Sequence, residues 1–64
     1  MVGRTGRVTG TVAPGQVGEV VVATDRGSDA FHAWASTPDA TYPVGTRVLV
    51  LEYHPPRGVV VEAV

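Results

Sequence analysis

Residues 46–53, Thr46-Arg47-Val48-Leu49-Val50-Leu51-Glu52-Tyr53, decide the fold class. Val48 and Val50 alternate with Leu49 and Leu51, so successive side chains fall on opposite faces of an extended chain. A β-branched residue at every second position suits a pleated surface better than a helix. No apolar spacing of three or four residues runs far enough here to make a helical stripe. Both faces of the run are apolar, which bears on core and function alike.

Working outward, four more runs favour strand. Gly6 to Ala13 places Val8, Gly10 and Val12 against Arg7, Thr9 and Thr11. Val17 to Thr24 centres on Val20, Val21 and Val22. In Ser28 to Ala35, Phe31, Ala33 and Ala35 share one face, while Ala30, His32 and Trp34 share the other. Val59 to Val64 closes the chain. Pro14-Gly15 predicts a tight turn, and Asp25-Arg26-Gly27 a hairpin loop with Gly27 at positive φ. His54-Pro55-Pro56-Arg57-Gly58 reads as a loop. Ser36 to Gly45 reads as irregular, because Pro38, Asp39 and Pro43 discourage pairing. Strands arriving every 8–12 residues or so point to a sandwich or barrel. Five are too few for an ordinary sandwich, and closure removes exposed edges. Residues 1–64 therefore form one all-β domain, a small five-stranded barrel of the OB type, with an SH3-like barrel as the structural alternative. Gly6, Gly10 and Gly18 stand where a barrel strand bends.

Composition narrows the function classes. A chain of 64 residues buries only about 60% of the surface its unfolded form exposes. Cysteine is absent, which excludes disulfides and thiolate metal sites. Lysine is absent too, and five arginines face six carboxylates for a formal charge of −1. That balance lacks the basic excess of a nucleic-acid surface. It also excludes a Walker-type phosphate loop, which needs lysine. No apolar stretch approaches the roughly 18 residues of a membrane span, and no secretory signal is present.

Catalytic constellations are sparse. Ser36, His32 and Asp39 are the only triad that can be drawn, and no Gly-x-Ser-x-Gly elbow accompanies it. Ser36 and Asp39 have a simpler role in loop and turn hydrogen bonds. His32, His54, Glu52 and Glu62 sit on different runs and make at most a surface metal site. Glu52 and Glu62 read as solvated charge and not as a paired acid and base. The expectation is a non-enzyme with no metal and no cofactor. Single-stranded nucleic acid is the alternative function for an OB barrel, with Trp34 and Tyr53 stacking bases and Arg47 meeting a phosphate.

Taken in order, the pieces resemble the NfeD-like C-terminal domain. The resemblance is carried by Gly3-Arg4-Thr5-Gly6-Arg7-Val8, Pro14-Gly15, Gly18-Glu19-Val20, Phe31-His32-Ala33, Val44 to Val50, and Val59-Val60-Val61-Glu62. It implies an OB-fold domain of a membrane-associated protein that acts with flotillin- or stomatin-like scaffold proteins. The long members add a serine-protease domain, which this chain does not contain. By the same resemblance a segment outside this chain supplies the anchor, and the domain lies on the cytoplasmic side.

The two-faced apolar strands suggest what such a domain does. If Val20, Val22, Val48, Val50, Val59 and Val61 face inward, then Val21, Leu49, Leu51 and Val60 face out. Opposite parity exchanges the two sets, and a small barrel cannot bury both. The Ser36–Gly45 loop can cover part of the outer set; whatever stays exposed is a docking patch. On that basis the outer faces of the second, fourth and fifth strands form a protein-binding surface. Val21, Leu49, Leu51 and Val60 supply its apolar centre, and Trp34 with the Tyr53-His54-Pro55 tip its rim. The occupant is a scaffold protein or a second copy.

Overall fold

Seven alternating valines, Val8, Val20, Val22, Val48, Val50, Val59 and Val61, turn to one side of their strands and are almost fully buried. A computed structural model describing residues 1–64 shows the strands that carry them, with no helix. These are β1 (Thr5–Gly10), β2 (Gly18–Thr24), β3 (Gly27–Ala35), β4 (Arg47–His54) and β5 (Gly58–Ala63). They close into a barrel in the order β1-β2-β3-β5-β4. Every neighbouring pair is antiparallel except β3 and β5, which run parallel. This five-stranded closed arrangement is of the OB type.

The interior takes one parity. Val20, Val22, Phe31, Ala33, Val48, Val50, Val59 and Val61 form the core with Val8, Val12 and Tyr42. Full burial of a valine contributes about 1.5–3 kcal/mol, so valine packing is the main stabilising term in a chain with no covalent staple. No charged side chain is buried, which spares this small core the cost of desolvating one.

Most strand boundaries shift by a single residue from the sequence expectation, and the changes at the ends of β1 and β4 have a hydrogen-bonding reason. β1 ends at Gly10, not Ala13. Its register slips between Val8 and Gly10, and Val12 leaves β2 to pair with Tyr42. The Val12 N–H donates to the Tyr42 carbonyl at 3.0 Å, and the Tyr42 N–H returns a bond to the Val12 carbonyl at 2.7 Å. Tyr42, read from sequence as part of an irregular stretch, is thereby a core residue that closes one end of the barrel. Ala40 packs against the same core. At the other hairpin, β4 runs through His54, which pairs with Gly58. His54 is therefore a strand residue, and the connection shrinks to Pro55-Pro56-Arg57. The predicted turn glycines do have positive φ, 72° at Gly15 and 110° at Gly27.

Candidate functional site

The β4–β5 hairpin positions most of the residues expected at a docking surface, and a β-bulge sets their directions. Val50 pairs with Val61, but the next registered pair is Glu52 with Val60. Leu51 is the extra residue, and the bulge shifts the alternation by one. Strict alternation from Val48 and Val50 would turn Glu52 inward and Tyr53 outward. The structure does the reverse. Glu52 and His54 both lie outside, with His54 Nε2 3.1 Å from Glu52 Oε1. Tyr53 pairs with the buried Val59 and turns round to the mouth of the barrel. There it meets the Phe31 ring edge-on, with centroids 6.2 Å apart and planes at 88°.

Tyr53 also fastens the short connection that follows it, since its hydroxyl donates to the Pro56 carbonyl at 3.1 Å. Arg57 then folds back across the mouth. Its guanidinium carbon lies 5.7 Å from the Phe31 centroid, and Nη1 is 4.0 Å from Asp29 Oδ1. Met1, Arg4, Asp25 and Arg26 complete an open depression there. Arg4 and Asp25 form a second ion pair within it, at 3.6 Å.

Trp34 occupies the other side of the wall. It stands on the outer face of β3, registered with Val60 on β5, and its ring lies over Gly58. The indole Cζ3 lies against this glycine, and 43% of the residue remains exposed. Val60 is flanked by Trp34 on β3 and by Glu52 on β4. Leu51 projects from the bulge beside them and is 37% exposed. Trp34, Val60 and Leu51 thus make a continuous strip across β3, β5 and β4. Leu49 continues β4 beyond Leu51; it is half-buried and lies between Thr5 and Glu62. Pro55 is exposed beside His54.

Val21 does not join them. It is half-buried on the outer face of β2, between Arg7 of β1 and Ala30 of β3. In the strand order, β3 separates β2 from β5, and β1 separates it from β4. The second, fourth and fifth strands therefore share no single outer face, which sequence separation alone could not reveal. Val21 lines a second open depression with Thr5, Arg7, Thr9, Ser28 and Arg47.

For catalysis the geometry is sparse. His32, Ser36 and Asp39 are all exposed. His32 is registered with Glu19 and Gly58, while the Ser36 N–H is held by the Val61 carbonyl at 2.9 Å. No three histidine, aspartate or glutamate side chains gather where they could hold a metal ion. Base stacking has little to work with either. Trp34 and Tyr53 are turned to different sides of the wall, and the neighbouring β2–β3 outer face carries Glu19, Ala23, Ser28 and Ala30, with no aromatic ring among them.

The family described as the NfeD C-terminal domain has a model that matches residues 5–62. No curated protein and no solved structure matches the chain.

Proposed function

The chain belongs to the NfeD C-terminal domain family, and from that premise we propose that it is a non-catalytic protein–protein interaction module acting with flotillin- or stomatin-type scaffold proteins at a membrane surface. The observation that carries this is the strip Trp34–Val60–Leu51. A 64-residue barrel that turns an indole, an isopropyl and an isobutyl group to one outer wall leaves apolar area that association would bury. Within the Ser36–Gly45 loop, Tyr42 and Ala40 go to the barrel core and Val44 is itself exposed. A half-exposed tryptophan packed against a glycine is also a pre-ordered anchor, of the type that dominates interface energies.

No helix of the structure is long and apolar enough to cross a membrane. In this proposal the anchor is a segment other than residues 1–64, and the barrel sits on the cytoplasmic side. Affinity per copy is modest because three or four side chains must offset the cost of association. Clustered scaffold proteins raise it through multivalency.

The test is capture by purified flotillin-type and stomatin-type proteins of wild type and of Trp34→Ala and Leu51→Ser. Both positions are exposed enough for the barrel to survive substitution, which circular dichroism verifies. Loss of capture with the fold retained supports the proposal. Equal capture by all three proteins, or none by wild type, refutes it.

A further inference from the structure

The arginines of the second depression have no counter-charge. Arg7 on β1 and Arg47 on β4 are directly registered partners, and like charges placed opposite one another across a strand pair are destabilising. They stand on the ladder that closes the barrel, which has only three registered pairs, Thr5–Leu49, Gly6–Val48 and Arg7–Arg47. Neither arginine takes part in the ion pairs of the structure, which are Arg4–Asp25, His54–Glu52 and Arg57–Asp29. Arg7 Nη1 donates to the Gly45 carbonyl at 3.2 Å, leaving most of its donors free. Glu19, on the neighbouring strand, is engaged by the Thr9 hydroxyl at 2.7 Å.

Around this pair the wall is concave, and no carboxylate lines it. Thr5 and Ser28 contribute hydroxyls, over a base of Gly6 and Ala23, while the Thr9 hydroxyl at the rim is given to Glu19 Oε1. The depression at the barrel mouth differs in kind, because Asp25 and Asp29 stand among its arginines. Two arginines registered opposite one another, with the Thr5 and Ser28 hydroxyls beside them and no carboxylate in the lining, form a receptor for a carboxylate.

We propose that the Arg7–Arg47 depression receives an acidic side chain from the docking segment of a partner protein. The inference rests on the protein-docking role proposed above and adds the partner's chemistry. Charge selects a peptide over a polyanion. The chain as a whole carries −1, and Glu19 and Glu62 lie on the flanking outer faces. An extended phosphate backbone or a charged bilayer would meet these carboxylates, whereas a single acidic side chain fits between them. Leu49 follows Arg47 on the same face of β4, registered with Thr5 of the depression. A carboxylate seated on the arginines therefore places its neighbouring residues against Leu49, on the way to Leu51 and Val60.

The test is NMR titration of wild type and Arg47→Gln with a short polyglutamate peptide. Parallel arms use inorganic phosphate, a single-stranded oligonucleotide and phosphatidylserine-containing vesicles. The expected result is salt-sensitive shifts at Thr5, Arg7, Thr9 and Arg47 with the peptide. Arg47→Gln should weaken binding about fivefold, the scale of one exposed ion pair. It should also melt at or above the wild-type temperature, because a like-charge contact is relieved. Absence of peptide shifts, shifts indifferent to Arg47→Gln, a lower melting temperature in that variant, or tighter binding of oligonucleotide or vesicle would each overturn the assignment. Peptide binding here without scaffold capture would refute the proposed partner and leave the acidic-segment site standing. Capture without peptide binding would do the opposite.

Discussion

Trp34 lies against Gly58, so closely that a Cβ added to the glycine would stand 3.0 Å from the indole Cζ3 and 3.1 Å from the His54 carbonyl oxygen. The first atom can swing away, but the second belongs to the β4–β5 hairpin backbone and has little room to move. One hydrogen-sized side chain thus lets the tryptophan of β3 pack against β5 and lets β4 and β5 approach.

Gly58→Ala should therefore destabilise the barrel by about 1–3 kcal/mol, the usual scale of overpacking. Because Trp34 is the only tryptophan, its fluorescence reports the event directly. Urea unfolding should show a lower midpoint, and the folded variant should emit further to the red as the ring lifts into water. An unchanged spectrum and midpoint would mean the contact is slack.

A second glycine carries more. An added Cβ on the buried Gly18 would meet the Val12 Cγ2 atom, the Gly10 carbonyl oxygen at 2.7 Å and Val12 Cα at 2.8 Å. Two of these are backbone atoms, so Gly18→Ala requires β1 and β2 to part. Gly15→Ala meets nothing and costs only the strain of its positive φ, about 1–2 kcal/mol. Thermal melts should rank Gly18→Ala far below Gly15→Ala, with the former unfolded or nearly so.

Tyr42 lies outside the named strands yet packs as core. Replacing it with alanine should cost about 3–5 kcal/mol, as for a large aromatic in a strand interior. A domain of this length has a total stability of only roughly 3–10 kcal/mol, so the loss should be visible at ambient temperature by circular dichroism. A cost below about 1 kcal/mol, normal for an exposed loop position, would contradict the packing.

Tyr53 should separate from Trp34 in its behaviour. Its edge-on contact with Phe31 and its bond to the Pro56 carbonyl are intramolecular. Such an aromatic pair contributes about 0.5–1.5 kcal/mol, and a hydrogen bond about 1 kcal/mol. Tyr53→Ala should lower stability by roughly their sum while leaving Trp34-dependent capture intact. Tyr53→Phe should lose only the smaller hydrogen-bond share. Chemical denaturation paired with capture assays distinguishes the two roles.

Local chemistry in the sequence was sufficient for the strands, their order along the chain and the turns at Gly15 and Gly27, because pleat alternation and positive-φ glycines act within a few residues. The core valines were also legible, but only as one of two interchangeable sets. In Val20-Val21-Val22 and Val59-Val60-Val61 both faces are apolar, so period-two alternation has no preferred inside. Barrel closure makes that choice. Once β1 pairs with β4 and β3 with β5, a single parity fits the interior with Phe31, Val12 and Tyr42. The docking surface was only partly legible for the same reason. The bulge at Leu51 reverses the alternation and carries Tyr53 to the barrel mouth, and the strand order parts Val21 from Val60. The first depends on cross-strand pairing within the β4–β5 hairpin, and the second on contacts between residues far apart in the chain. So does the facing of Arg7 and Arg47 across 40 positions of sequence, which exists only because the barrel closes there.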